Sequence, residues 1–228
     1  MRHRLRLLIL ILIVIFIFSF TSCYTYTLTN GVADRTTADI TATTSETAAP
    51  PTTAVETTTP AASDYSIGEK GPAGGLIFYI NPNYATDGWK YLEAAPSDCQ
   101  GEDNDYRITW YNGTYPETGA TATAMGTGMS NTQKIVDIQG NGSYAAKLCS
   151  DLTQGGCNDW FLPSKDELNL MFENLYLKGL GSFEPDFYWS SSEYAALNAW
   201  YQYFEQGYQS NNNFKINYTG RGRAVRAF

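Results

Sequence analysis

The sequence predicts an α+β domain with a small antiparallel sheet and long loops. Short apolar runs alternate with Gly, Pro and Asn turns, a few stretches carry helical periodicity, and long polar loops join them. These features occupy residues 64–228 of the 228-residue chain.

Gly68-Glu69-Lys70-Gly71-Pro72-Ala73-Gly74 contains two collagen-like triplets, too few for a triple helix, and reads as a Gly/Pro turn entering a strand. Residues 75–80 follow as a buried strand, Asn81-Pro82-Asn83 as a turn, and residues 89–94 as a second strand, together an antiparallel hairpin. Residues 131–138 and 144–152 have helical spacing, separated by Gly140-Asn141-Gly142. The strongest helix signal begins at Ser164. Ser164-Lys165-Asp166-Glu167 is a capping box, and Leu168, Met171, Phe172 and Leu175 form one apolar face behind it. Lys178-Gly179 is the expected stop, a cation in the last turn followed by glycine. Residues 188–191, 199–204, 214–218 and 224–228 read as short strands.

Three motifs resemble a known family. Gly155-Gly156-Cys157-Asn158-Asp159-Trp160-Phe161-Leu162-Pro163-Ser164 runs on through Glu167-Leu168 as one signature, Tyr188-Trp189-Ser190-Ser191-Ser192-Glu193 is a second, and Arg223-Ala224-Val225-Arg226 matches the ending. Over roughly residues 66–228 the chain is similar to the Lcl C-terminal domain family of bacterial surface proteins, long held to be of unknown function. The resemblance implies a C-type-lectin-like fold. Two helices would flank a small twisted antiparallel sheet, the first and last strands would pair, and long loops would present a ligand face. It implies surface binding rather than a known reaction.

The segments ahead of the domain read as an address and a spacer. Arg2, Arg4 and Arg6 precede an apolar run at residues 7–20. As a helix that run spans roughly 21 Å, short of the ~30 Å hydrocarbon core, so residues 1–22 read as a signal peptide. Phe20-Thr21-Ser22-Cys23 resembles a lipobox, making Cys23 the expected acylated N-terminus of a protein held on a bacterial membrane, outer membrane or cell surface. Residues 24–63, rich in Thr, Ala and Pro, read with Cys23 as a disordered tether of roughly 35 Å reach.

Charge and composition exclude whole function classes. With 15 Lys and Arg against 23 Asp and Glu, the chain lacks the basic field that nucleic acid demands. The single histidine, His3, lies in the leader, which removes Ser-His-Asp, Cys-His and two-His zinc chemistry from the domain. Asp98, Glu102, Asp103, Asn104 and Asp105 could offer oxygens to Ca²⁺ but lack the EF-hand glycine, so an acidic solvated loop is the reading; no cofactor or metal is expected.

The expected function is binding of extracellular polymer, glycan, host matrix or an envelope partner, without catalysis. Trp110, Tyr111, Asn198, Trp200, Gln202 and Tyr208 are the candidate ligand face, because tyrosine and tryptophan rings stack on sugar C–H faces and amides bond hydroxyls. Tyr115, Tyr201, Tyr203, Gln206, Gln209 and residues 211–213 extend that composition. Trp160 and Trp189 are expected in the core, with Glu193 paired to Arg223 or Arg226. Of the three domain cysteines, Cys149 and Cys157 enclose a short Gly-Gly loop and are the favoured disulfide, which leaves Cys99 over. Two alternatives stand beside binding: a glycan-cleaving enzyme with a carboxylate pair among Asp159, Asp166, Glu193 and Glu205, or a structural envelope lipoprotein. Cys23→Ala is expected to abolish incorporation of radioactive fatty acid in cells; persistent labelling would refute the lipid anchor.

Overall fold

In the computed structural model the described residues are 64–212, 215 and 219–228, the side chain of Asp103 excepted. The leader, Cys23, the tether and most of the strand expected at 214–218 lie outside them. In chain order, short helical turns at Tyr84–Asp87, Glu102–Asn104 and Tyr176–Lys178 apart, the elements are β1 (Leu76–Ile80), β2 (Tyr91–Ala94), α1 (Gly128–Gln139), α2 (Ala145–Ser150), α3 (Lys165–Asn174), β3 (Phe187–Ala195), β4 (Asn198–Tyr203), β5 (Tyr208–Ser210) and β6 (Val225–Ala227). Among the described residues no helix is long and apolar enough to cross a membrane.

The fold is α+β, with two three-stranded antiparallel sheets in place of the single sheet expected. β1 and β2 form the hairpin, from Leu76 opposite Ala94 to Ile80 opposite Tyr91, with an irregularity between Ile77 and Tyr79. β6 pairs with β2, Ala94 opposite Val225, so the first and last strands share a sheet but do not touch as a pair. All four residues of β2 are buried, which suits a central strand. The second sheet runs β3-β4-β5, with Phe187 opposite Tyr203 and Tyr203 opposite Tyr208.

The segment between residues 160 and 165 joins the two sheets. Phe161 exchanges both backbone hydrogen bonds with Val225 of β6, at 2.8 and 2.9 Å, and the Pro163 carbonyl accepts from Ser191 of β3 at 2.7 Å. Pro163 has no N–H with which to extend that ladder, and a second link runs through Arg221, whose N–H donates to Phe187 O at 2.7 Å and whose carbonyl accepts from Trp189 N at 2.9 Å.

α1 and α2 are parted by Gly140 at φ +70°, the left-handed half of the map that glycine enters without strain. α3 stops at Asn174, a turn before the predicted Lys178-Gly179 signal. The chain tightens into a 3₁₀ turn, Tyr176–Lys178, which Gly179 then closes in the αL conformation. Leu168, Met171 and Phe172 of α3, with Leu175 at its C-cap, pack on Phe78, Leu92, Tyr188, Phe204 and Val225. Burial of each large apolar side chain contributes about 1.5–3 kcal/mol. A second cluster gathers Trp110, Ile135, Tyr144, Cys149, Trp160, Leu162, Trp189 and Tyr201 under α1 and α2.

Glu167 closes the capping box and does more. Its Oε2 accepts from Ser164 N at 2.7 Å, while Ser164 Oγ accepts from Glu167 N at 3.3 Å. Its Oε1 accepts from Gly126 N at 2.8 Å and from Gly128 N, the first amide of α1, at 3.4 Å. One carboxylate thus serves the N-termini of two helices. A Cβ on Gly128 would fall 2.3 Å from Glu167 Oε2, so only glycine fits there. Burial pushes the Glu167 carboxyl up to about 7, against the pull of the amides it accepts from. A folded-state value above the unfolded one makes this contribution complete at low pH and lost as pH rises through about 7. Between pH 4.5 and 7.5 the wild-type protein is therefore expected to lose about 3 kcal/mol relative to Glu167→Gln. Urea unfolding of both proteins across that range measures the difference, and parallel pH profiles would contradict it.

Candidate functional site

An open polar cleft of about 360 Å³ lies between the 101–113 loop and the α1–α2 connection. Glu102, Asp105, Arg107, Thr109, Tyr111, Asn112 and Ser143 line it, with the buried Ile108 among them. Its walls are held from behind. Asn112 donates both amide hydrogens inward, to the carbonyls of Gln139 at 2.9 Å and Asn141 at 2.7 Å, and its backbone N–H donates to Gln139 Oε1 at 2.6 Å. A Cβ at Gly142 would meet the Asn112 amide at 2.2 Å, so the approach of the two loops requires that glycine. Glu102 N donates to Ser143 Oγ at 3.3 Å, and Asp105 Oδ1 accepts from Arg107 N at 2.9 Å.

Arg107 joins the cleft to the second sheet. Its Nε and Nη2 grip Asp186 at 3.0 and 2.7 Å, a two-nitrogen pairing that fixes the guanidinium plane. Asp186 also accepts from Phe187 N at 2.8 Å, and the Phe187 ring stacks on Tyr203 at 4.5 Å, which meets Tyr208 edge-on at 5.9 Å. On the cleft side Tyr111 stacks on Tyr115 at 4.9 Å and 22°. Partial desolvation, then the hydrogen bond to Tyr111, push the Tyr115 phenol up to about 12, so it stays a neutral hydroxyl.

The six proposed ligand residues are not one face. Trp110 is 1% exposed and belongs to the core: its ring packs in the apolar cluster and its one polar atom is satisfied there, the indole N–H donating to Ser190 O at 2.8 Å. Gln202 is fully buried, donating to Asn169 Oδ1 at 3.0 Å and accepting from Gln209 Nε2 at 3.2 Å. Tyr111 lines the cleft, while the exposed Tyr208 lies at the Tyr203 end of the aromatic run. Asn198 and the half-buried Trp200 share one side of β4, where Trp200 lies under Lys165 Nζ at 5.3 Å and against Tyr194 at 5.9 Å.

The residues assigned to structure are all buried. Trp160 and Trp189 donate their indole N–H groups to Cys157 O at 3.2 Å and Ile108 O at 3.0 Å. The partner of Glu193 is neither Arg223 nor Arg226 but Lys215, at 2.6 Å, with Thr118 N, Thr118 Oγ1 and Gly119 N completing its shell. Both arginines are already taken: Arg223 by Asp98 at 2.6 Å, Arg226 by Asp159 at 2.8 Å and Glu93 at 3.4 Å. Asp98 is accordingly no part of a solvated loop; it also accepts from Arg221 and from the Tyr188 hydroxyl, both at 3.0 Å. Nor is there a Cys149–Cys157 disulfide: Cys149 Sγ lies 3.5 Å from Cys99 Sγ, because α2 turns Cys149 inward toward the end of the β2 loop.

None of the four carboxylates considered for catalysis lines the cleft. Asp159 pairs with Arg226, Asp166 with Lys165 and Glu193 with Lys215, and Glu205 accepts from the Tyr203 hydroxyl. Sequence reasoning missed Arg107, Asp186 and Lys215, whose partners stand too far along the chain for any spacing rule to connect them.

Lys215 lies over the Trp110 ring at 4.0 Å, and burial lowers its ammonium pKa against the opposing pull of Glu193. Glu193→Ala leaves that ammonium buried and unpaired, an expected loss of about 3–5 kcal/mol. Combining Glu193→Leu with Lys215→Met should restore most of it, as a denaturant double-mutant cycle would show.

No family model and no curated protein matches the chain. A crystal structure of a fimbrial protein from Bacteroides ovatus resembles it with a TM-score of 0.42 and 14% identity, over 71% of this chain and 42% of that one. The chain thus spans less than half of that protein's length, and a likeness this slight assigns neither fold nor function.

Proposed function

We propose that residues 64–228 are a C-type-lectin-like binding module, carried on a lipid-anchored surface protein through Cys23, that recognises an extracellular polysaccharide without cleaving it. The observation that carries the reading is the cleft itself: stacked Tyr111 and Tyr115 beside a rim of hydroxyl, amide and guanidinium groups immobilised from behind. Sugar recognition needs that combination, an apolar ring face for C–H surfaces and fixed donors and acceptors for hydroxyls. A rigid rim also spares the ordering cost that a mobile loop would incur on binding.

The lectin-like assignment is supported by helices packed on antiparallel strands and by the long stretch between β2 and α1 that holds the cleft. Envelope or matrix glycoconjugates are the partners in keeping with the leader and tether. Purified protein is expected to bind a subset of polysaccharide, glycosaminoglycan or peptidoglycan fragments on an array. Tyr111→Ala should weaken that binding about tenfold, the equivalent of about 1.4 kcal/mol, whereas exposed Glu173→Ala on α3 should leave it unchanged. Binding to none of the three polymer classes would overturn the proposal.

A further inference from the structure

Cys99 and Cys149 are 50 positions apart in sequence, yet their sulfurs lie 3.5 Å apart in the core. Cys99 follows β2, where its N–H donates to Gly222 O at 2.8 Å, and is 8% exposed. Cys149 is on α2 and fully buried. Cys157 belongs to a separate tight turn, where its N–H and carbonyl exchange bonds with Gln154 at 3.1 and 3.0 Å.

We propose that Cys99 and Cys149 are the site of a disulfide that locks the cleft. A bond of about 2.05 Å needs the sulfurs to close by about 1.5 Å, within the reach of small side-chain rotations. The covalent loop it closes, residues 99–149, contains every residue lining the cleft. Binding by the proposed module and stability would therefore rise together on oxidation.

Access is one-sided. A second cavity of about 270 Å³, lined by Asp98, Cys99, Gln100, Tyr106, Leu148 and Leu152, reaches Cys99. The disulfide of an oxidant such as oxidised glutathione meets Cys99 at that opening. The Cys99 thiolate attacks one of its sulfurs, forming a mixed disulfide and expelling the first glutathione thiolate. Cys149 then loses its proton and attacks the Cys99 sulfur, expelling the second. Two electrons pass to the oxidant and two protons leave the cysteines. Burial, then the hydrogen bond with Cys99, hold the Cys149 thiol well above its usual range, so the second step is the slow one.

The inference leans on the surface-protein reading only for the oxidising compartment, and the test separates the two. Reduced full-length protein is incubated with oxidised glutathione, then digested with trypsin and Asp-N, which places Cys99 in Asp98–Glu102, Cys149 in Leu148–Ser150 and Cys157 in Asp151–Asn158. A reducible link between the first two peptides is expected, with Tm about 10 °C above that of the reduced protein. Cys99→Ser and Cys149→Ser should each abolish that difference, and Cys157→Ser should keep it. A link through the Cys157 peptide, or alkylation of both Cys99 and Cys149 after oxidation, would overturn the proposal. If the link forms in the tube but is absent from protein taken from intact cells, the disulfide site stands and the exported location falls.

Discussion

A carboxylate taken out of water must collect donors, and that requirement organises this domain. Glu93, Asp98, Glu167 and Glu193 are each no more than 8% exposed. Left unpaired, any of them would cost several kcal/mol. Each draws in chain from far away. Glu93 takes the amide of Gly75 at 2.7 Å and Arg226 from the last strand. Asp98 takes Arg221, Arg223 and Tyr188; Glu193 takes the 118–119 loop and Lys215; Glu167 takes two helix starts. Few of these loops carry regular secondary structure of their own, so the buried carboxyl groups supply the fixed points that a larger sheet would otherwise provide.

The Gly-rich entry shows the same constraint. A side chain at Gly71 would meet the Glu93 carboxyl at 2.6 Å, and one at Gly75 would meet Ala94 O at 2.0 Å. Within the collagen-like triplets Gly71 makes room for a carboxylate, and Gly75 just after them makes room for a strand. The cleft is built on the same plan at the surface. Arg107 is half exposed, but its partner Asp186 is nearly buried, so the guanidinium is held from inside while one face meets solvent. Asn112 likewise spends its donors on the α1–α2 connection. The rim is rigid because its polar groups are satisfied behind it.

Much of the fold was legible in order along the chain. The β1–β2 hairpin, the capping box of α3 and the glycine break between α1 and α2 all rest on short-range rules: alternation, a serine three residues before a glutamate, a glycine where φ turns positive. The second sheet was only partly legible. β5 has three residues and no alternation long enough to detect, and β3 is polar through Ser190, Ser191 and Ser192. Ser190 and Ser192 are accommodated in the interior because they donate to the carbonyls of Trp200 and Ala122, partners no window on the sequence contains, whereas the buried Ser191 hydroxyl has no hydrogen-bond partner among the described residues. The candidate site was least legible. Composition pointed to aromatic and amide residues but could not separate Trp110, a core ring, from Tyr111, its neighbour on the cleft.

The sequence by itself determined the composition classes: an acidic chain, a domain without histidine, a Gly- and aromatic-rich unit after a Thr-rich stretch, and one helix, α3, marked by its own capping box. Those are properties of residues and their near neighbours. The tertiary structure alone decided which charge meets which, that Cys149 faces Cys99, and which rings reach the surface. The physical reason is distance along the chain. Arg107 and Asp186 are 79 positions apart and Asp98 and Arg223 are 125, and pairings of that range are chosen by how whole elements pack.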